Sequence, residues 1–321
     1  MKKYEKLVIF IFLTTLFFII NKILEKRKQL KICLCAVAKN ENKYIEEFVV
    51  HYHKYNVDKI FIYDNNDLNG EKMESKLSRY IADNFVEILN FRGKNTRQRI
   101  IFQDCYIKNY QIFNWLLFYD VDEFIYLRNY KNIQDYLKEN QFTKCQSIYL
   151  NWLVYSDNDL IYYDNRTLFQ RFNSSHKNKT YVGWGKNILK GNLKNINIIS
   201  VHTLDRNLTR CDGFGNICKQ IGYSCNNPDF DFFFLNHYKY KSTEEFLTKI
   251  NKGDCVFRTS NETDIKLMKI RYYIDDNKIN LFKLAFIAKN ARINRGVIIS
   301  KFKNKLIKNN YIFKYINNLR L

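Results

Sequence analysis

The stretch Trp115-Leu116-Leu117-Phe118-Tyr119-Asp120-Val121-Asp122-Glu123-Phe124 decides how the chain is read. Its apolar half has the length and composition of a buried strand, and it breaks off into three acids. At strand geometry Asp120 and Asp122 share one face while Val121 points to the other. Carboxylates delivered together at a strand end suit Mg²⁺ or Mn²⁺, which take one or two protein carboxylates and complete their shells with phosphate oxygens and water. A nucleotide-diphosphate donor supplies such oxygens. A bare Asp-x-Asp also occurs as a solvated strand-to-turn cluster, so the surrounding pattern has to carry the reading.

That pattern alternates strands and helices. Lys31–Ala38 is an apolar run of strand length that gives way to Lys39-Asn40-Glu41-Asn42. Ile45, Phe48, Val49 and Tyr52 then recur at the spacing of a buried helical stripe. Lys59–Tyr63 is a second strand, ending in Asp64-Asn65-Asn66-Asp67 ahead of a helix with Leu77, Tyr80 and Ile81; Phe85–Leu89 is a third. A helix from about Gln98 to Tyr110 leads to the strand at Asn114–Tyr119. This rhythm predicts an α/β fold with a parallel, doubly wound sheet. Ligands of such sheets bind beyond the carboxyl ends of the strands. Three of those ends are polar here: Lys39-Asn40-Glu41, Asp64-Asn65-Asn66 and Asp120-Val121-Asp122.

A helix around Ile133–Glu139 returns to a long strand, Ser147–Tyr155, with Ser156-Asp157-Asn158-Asp159 at its end. From 165 to 225 the pattern weakens into loops and short strands, among them Thr180–Lys186 and Ile196–His202. Phe230–Leu235 then delivers Asn236-His237, and Ser242 is placed to cap a helix near Thr243–Ile250.

With 321 residues and 46% hydrophobic content the chain can form one large core. The formal charge of +21 suggests nucleic-acid binding at first sight. However, residues 1–31 carry net +6 and residues 281–321 net +10, which leaves only +5 for the middle. The excess at the ends predicts no nucleic-acid partner. No Cys-x-x-Cys pair occurs among the eight cysteines, which argues against a zinc module. Cys33 and Cys35 are poorly placed to bridge each other; Cys211, Cys218, Cys225 and Cys255 either supply one or two disulfides or remain thiols.

Leu7–Ile20 is an unbroken apolar run of fourteen residues, extended by Ile23 and Leu24 and flanked by lysines. A span of about 20 residues crosses a bilayer, and flanking lysines snorkel, so 7–24 is expected to form a transmembrane signal-anchor. The expected domains are therefore an anchor and basic stem (1–30), a catalytic domain (31–280) and a basic helical tail (281–321). The tail interleaves Lys and Arg with apolar residues and is a second expected lipid contact. Such a chain is a single-pass membrane protein, its domain in a Golgi-type lumen if eukaryotic or on the cytoplasmic face if bacterial.

Ala36-Val37-Ala38-Lys39-Asn40-Glu41, Tyr63-Asp64-Asn65-Asn66 and Phe118-Tyr119-Asp120-Val121-Asp122-Glu123-Phe124 resemble glycosyltransferase family 92 and its bacterial relatives. Tyr149-Leu150-Asn151-Trp152 with Asp157-Asn158, Gln170-Arg171-Phe172, and His237-Tyr238 with Lys241–Phe246 continue the resemblance in the same order, over roughly residues 32 to 280. The resemblance implies a GT-A fold, Rossmann-like with a mixed central sheet. It also implies inverting, metal-dependent transfer of a sugar, possibly galactose, from a nucleotide-diphosphate sugar (a UDP-sugar for preference) to a glycan acceptor. In that picture Asn40, Glu41 and Asp64 meet the uridine part, Asp120 and Asp122 hold ribose and metal with Asp122 the direct ligand, and His237 completes the metal or diphosphate site. Inversion needs a base. Asp157 is the candidate, at a strand end just past Trp152, whose ring suits a sugar; Asn158 joins Trp152 at the acceptor, and Asp159, Glu123 and Asp205 are rival bases. Lys186 is the candidate to neutralise the diphosphate. Two other functions stay open: a GT-A-fold binding protein without catalysis, and a metal-dependent phosphodiesterase, whose two-metal site needs more clustered Asp and His than residues 120–122 offer.

Overall fold

A computed structural model describes residues 13–17, 30–94, 96–175, 184–200, 202–205, 207–218, 225, 229–251, 262–277, 281–293 and 297–298. Its centre is one nine-stranded mixed sheet. Strands β1 (Ile32–Ala38), β2 (Lys59–Asp64), β3 (Val86–Asn90) and β4 (Trp115–Phe118) are parallel neighbours in the order β3-β2-β1-β4. Helices α1 (Ile45–Lys54) and α3 (Gln98–Asn109) cover opposite faces of β1. Ile32, Leu34 and Ala36 pack with the α1 residues Ile45, Phe48, Val49 and Tyr52, whereas Cys33 and Cys35 pack with Ile101, Phe102 and Cys105 of α3. Burial on both faces explains why β1 reads as a continuous apolar run. Helix α2 (Glu74–Ala82) is shallower: Leu77 is buried, but Ile81 is exposed.

Beyond β4 the sheet turns mixed, as the resemblance implies. β7 (Gly185–Lys190) runs antiparallel to β4 and to β6 (Ser147–Val154). β9 (Phe233–His237) is parallel to β6, and β5 (Glu123–Leu127) closes the row antiparallel to β9. Two-residue β8 (Arg210–Cys211) pairs with the start of β6. The segment Ile196–His202 forms no strand, only a bridge between Ile198 and Leu204.

Of the expected anchor 7–24, only residues 13–17 are described; they are helical and exposed, and the rest lies outside the described residues. Among the described residues no helix is long and apolar enough to cross a membrane. Disulfides join Cys35 to Cys105, Cys145 to Cys211 and Cys218 to Cys225; Cys33 is a buried thiol, and Cys255 lies outside the described residues.

Helices α6 (Thr243–Asn251), α7 (Glu262–Asp276) and α8 (Leu281–Asn290) close over the carboxyl end of β6 around one buried carboxylate. Asp157, 1% exposed, takes both its oxygens to Lys283 Nζ of α8 at 2.8 and 3.0 Å, and Tyr273 of α7 donates its hydroxyl to the same group. Asn277 accepts from the Asp157 backbone N–H at 2.8 Å. The first turns of the segment expected as a basic tail are thus packed into the body, with Lys283 and Ile287 wholly buried. A buried pair broken on one side leaves an uncompensated charge, whereas apolar replacement of both sides is close to neutral. Lys283→Met is therefore expected to lower unfolding stability by about 3–5 kcal/mol, and Asp157→Leu combined with Lys283→Met to recover most of it, read as urea midpoints.

His51 of α1 lies against Phe124 of β5, its Nε2 3.0 Å from the Ile125 carbonyl. Burial lowers its pKa to about 4, against a smaller opposing effect of that carbonyl. In the unfolded chain it titrates near 6.5, so between about 4 and 6.5 the unfolded state binds more protons and stability rises with pH. The unfolding free energy, read from denaturant titrations, is expected to fall by about 3 kcal/mol on this account as pH drops from 7 to 4, and His51→Gln is expected to flatten that slope.

Candidate active site

The three acids sit on a turn, not on the strand. The Glu123 N–H donates to the Asp120 carbonyl at 3.0 Å, and the Glu123 side chain folds back so that Oε2 accepts from the Asp120 N–H at 2.9 Å. Glu123, a rival base by sequence, has no exposed surface. Burial raises its carboxyl well above the usual range, Asp120 and Asp122 push it further, and the opposing pull of Lys186 does not reverse this. Its carboxyl braces the turn from inside. Because the backbone turns here, Asp120 and Asp122 do not share a strand face and have different partners.

Asp120 Oδ2 lies 2.8 Å from Lys186 Nζ, while Gln98 at the start of α3 donates to Oδ1. Desolvation works against the Asp120 carboxylate, but Lys186 outweighs it and the pKa is lowered. Register explains the meeting. Leu117 of β4 faces Ile188 of antiparallel β7, so Lys186, two residues earlier, lies just past the end of β4 where the turn begins. Gly185 permits this close approach, since a Cβ there would stand 2.0 Å from the Leu150 carbonyl oxygen.

Asp122 faces two other groups. Oδ2 is 2.7 Å from Lys249 Nζ of α6, and Oδ1 is 3.6 Å from His237 Nε2. Desolvation opposes its ionisation; Lys249 and then His237 overcome that and hold the carboxyl well below the usual range. His237 closes β9 opposite Glu123 in the β5–β9 ladder, which sets it beside Asp122. Burial lowers the His237 pKa despite the nearby carboxylate, so the imidazole is neutral. Trp152 of β6 packs on that ring at 4.2 Å between centroids and stacks at 6.1 Å on Trp184, and His202 stands edge-on to both indoles. His237 Nδ1 and Trp152 Nε1 are buried polar atoms with no hydrogen-bond partner among the described residues.

Asp120, Asp122, Lys186, His237 and Trp152 are thus brought together. Glu41 adjoins them: its Oε2 is 3.4 Å from Lys241 Nζ, which lies over the Tyr44 ring, and its charge stabilises the Lys249 ammonium. Asn40 takes a left-handed φ of 55° and donates its backbone N–H to Asn66 at 2.7 Å. Asp64 is spent on structure, with one oxygen on Arg92 Nε at 2.7 Å and the other on Asn66. A cleft of about 670 Å³ passes Asp64 and Arg92 on the outer edge of the sheet, but β3 is three strands from the acids.

Asp157 and Asn158 are not brought to the acids. A base needs a lone pair within reach of the attacking hydroxyl, and both oxygens of Asp157 are held by Lys283. Its rival Asp159 contacts the same lysine, at 2.9 Å, and Asn158 bonds Ser156 and Asn173. Asp205 takes its own loop's Asn207 N–H. Sequence reading missed Gln98, Lys241 and Lys249. The last two flank Glu245 at four-residue steps across the start of α6, a one-face signal that a lysine-rich chain obscures.

Asp122 Oδ1 and His237 Nε2 face each other across 3.6 Å, a spacing comparable to that of two ligands sharing one divalent ion. Ligands about 2.1 Å from an octahedral ion are about 3 Å apart when adjacent and about 4.2 Å when opposite, and 3.6 Å falls between these. The imidazole is neutral and keeps a lone pair. Among the described residues no cluster of three or more His, Cys, Asp or Glu side chains could hold an ion. An ion at such a pair would take its remaining ligands from substrate oxygens and water, and the pair alone offers fewer side chains than a two-metal site uses.

A sequence model of glycosyltransferase family 92 matches residues 28–281. A family 92 protein of Ricinus communis is 27% identical over 237 residues, which are 70% of this chain and 37% of that protein. One of Arabidopsis thaliana is 27% identical over 130 residues, 40% of this chain and 22% of that protein. The chain spans only 19% to 37% of the length of such curated relatives. Among solved structures, the mannosyltransferase PcManGT from Pyrobaculum calidifontis in complex with GDP-Man and Mn²⁺ shares 8% identity at a TM-score of 0.39, over 91% of this chain and 84% of its own. The TarS fragment 1-349 of S. aureus shares 9% at a TM-score of 0.35, over 85% of each chain. Those structural likenesses are distant, and the match across residues 28–281 is the finding that identifies the protein: this chain belongs to glycosyltransferase family 92.

Proposed function

We propose that the protein moves a sugar from a nucleotide-diphosphate sugar, a UDP-sugar for preference, to a hydroxyl of a glycan acceptor, with inversion and with Mn²⁺ or Mg²⁺. The observation that carries this reading is the Asp122–His237 pair, 3.6 Å apart beside Asp120, at the carboxyl end of the parallel strands. The parallel β3-β2-β1-β4 half followed by a mixed half agrees with a GT-A fold. Asp122 and His237 would hold the ion, which supplies positive charge to the diphosphate as it leaves. Asp120, fixed by Lys186 and Gln98, is placed for the ribose. Lys186 acts through Asp120 and Glu123, whose contacts leave it no exposed surface. Asn40 and Glu41 line the donor side and Asp64 sets the loop that holds Asn40. Trp152 and Trp184 offer the aromatic surface for a sugar, and the orphaned Trp152 Nε1 is a donor available to it.

We also propose single-pass membrane attachment through residues 7–24, whose apolar run and lysine flanks support it. Three disulfides favour an oxidising compartment for the folded domain.

The full-length protein in detergent, screened against a panel of nucleotide sugars with Mn²⁺, is expected to hydrolyse or transfer one of them and to lose that activity in EDTA. Asp122→Ala and His237→Ala are each expected to lower it by about tenfold to a hundredfold or more. Full turnover by Asp122→Ala would overturn the assignment of the site.

A further inference from the structure

We infer that Lys249 holds the cation's place on Asp122 in the donor-free enzyme and turns to the donor's diphosphate once Asp122 is given over to a divalent ion. This assignment rests on the donor-site reading above. Its starting point is a contact that the proposed chemistry does not use: Lys249 Nζ stands 2.7 Å from Asp122 Oδ2, on the carboxylate whose other oxygen faces His237. Ammonium and metal ion compete for the same carboxylate charge.

The two lysines that touch the acids differ in freedom. Lys186 has no exposed surface and lies between Asp120 at 2.8 Å and Glu123 at 3.6 Å. It is part of the fixed frame. Lys249 has 37% of its side chain exposed and, among the described residues, makes besides Asp122 only a long 3.4 Å contact to the Lys239 carbonyl. Its backbone is nevertheless anchored. Ser242 and Glu245 cap the start of α6 reciprocally, with the Ser242 N–H 3.0 Å from Glu245 Oε2, and Phe246, Leu247 and Ile250 bury the helix around position 249. Only the four-carbon stem has to move. A diphosphate that shares the shell of an ion on Asp122 has its oxygens within about 4 Å of that ion, so the displaced ammonium meets it without motion of the helix. Glu41, whose charge favours the ammonium here, keeps the freed group in the cleft.

Competition and capture have opposite signs in binding, which makes the inference testable without turnover. Titration calorimetry on the full-length protein in detergent would compare wild type, Lys249→Met and Lys249→Gln, first with Mn²⁺ alone and then with UDP at saturating Mn²⁺. Both variants are expected to bind Mn²⁺ about tenfold more tightly and UDP about tenfold more weakly, the size of an ordinary coupling between two ligands. Thermal melts of the same samples identify any variant that has lost its fold, and Lys249→Arg, which keeps a cation, is expected to retain UDP affinity. If the wild type binds both ligands and the variants bind Mn²⁺ no more tightly, the Lys249 assignment is wrong while the donor site stands. A wild type that binds neither ligand overturns both.

Discussion

The ion pair between Asp120 and Lys186 ties together the two halves of the sheet. It joins the end of β4, the last parallel strand, to β7, the first antiparallel one, at the point where a turn starts. A lysine without exposed surface is costly to desolvate, and the charge is retained because two carboxyl groups converge on it. Lys186 lowers the Asp120 pKa, burial raises that of Glu123, and the ammonium lies between the two carboxyl groups. The Glu123 carboxyl then clamps the Asp120 N–H, and that clamp turns Asp122 toward β9 and α6. Removing the positive charge would leave two buried acids within one turn and no reason for the turn to close. The position of His237 relative to Asp122 thus follows from a contact in which neither takes part.

How much of this was legible in the sequence depends on how far apart the partners lie along the chain. The strands β1 to β4 and helices α1 and α3 were readable because each shows its own period and both faces of the central strands are apolar. β5 was not. Glu123–Leu127 looks like the trailing edge of an acidic loop, and it becomes a strand through pairing with β9, more than a hundred residues later. β7 was hidden for another reason: Gly185, Lys186 and Asn187 have loop-like polarity, yet all three are buried against remote partners. Site residues obey the same rule. Asp120, Asp122 and His237 were visible at strand ends. Asp157 looked equivalent, and only Lys283, 126 residues on, shows that its charge holds helices in place.

The overall charge of +21 also takes on a different meaning inside the domain. Lys186, Lys249, Lys241 and Lys283 each lie against a carboxylate around or behind the cleft. Internal lysines serve here as counter-ions that let acids stay ionised away from water. The result is a site whose fixed charges nearly cancel, with Asp120 against Lys186, Asp122 against Lys249 and Glu41 against Lys241.

That cancellation constrains what the cleft can admit. A bare divalent ion would add two positive charges beside three ammonium groups, and a bare diphosphate would add negative charge beside two ionised aspartates; either alone raises the electrostatic energy of a partly desolvated site. Ion and diphosphate arriving as one nearly neutral unit do not. On the proposed donor reading, a balanced site of this kind would favour a metal-complexed donor over either component and over other phosphates that lack a cation, and that selectivity would come from lysines already paired in the protein.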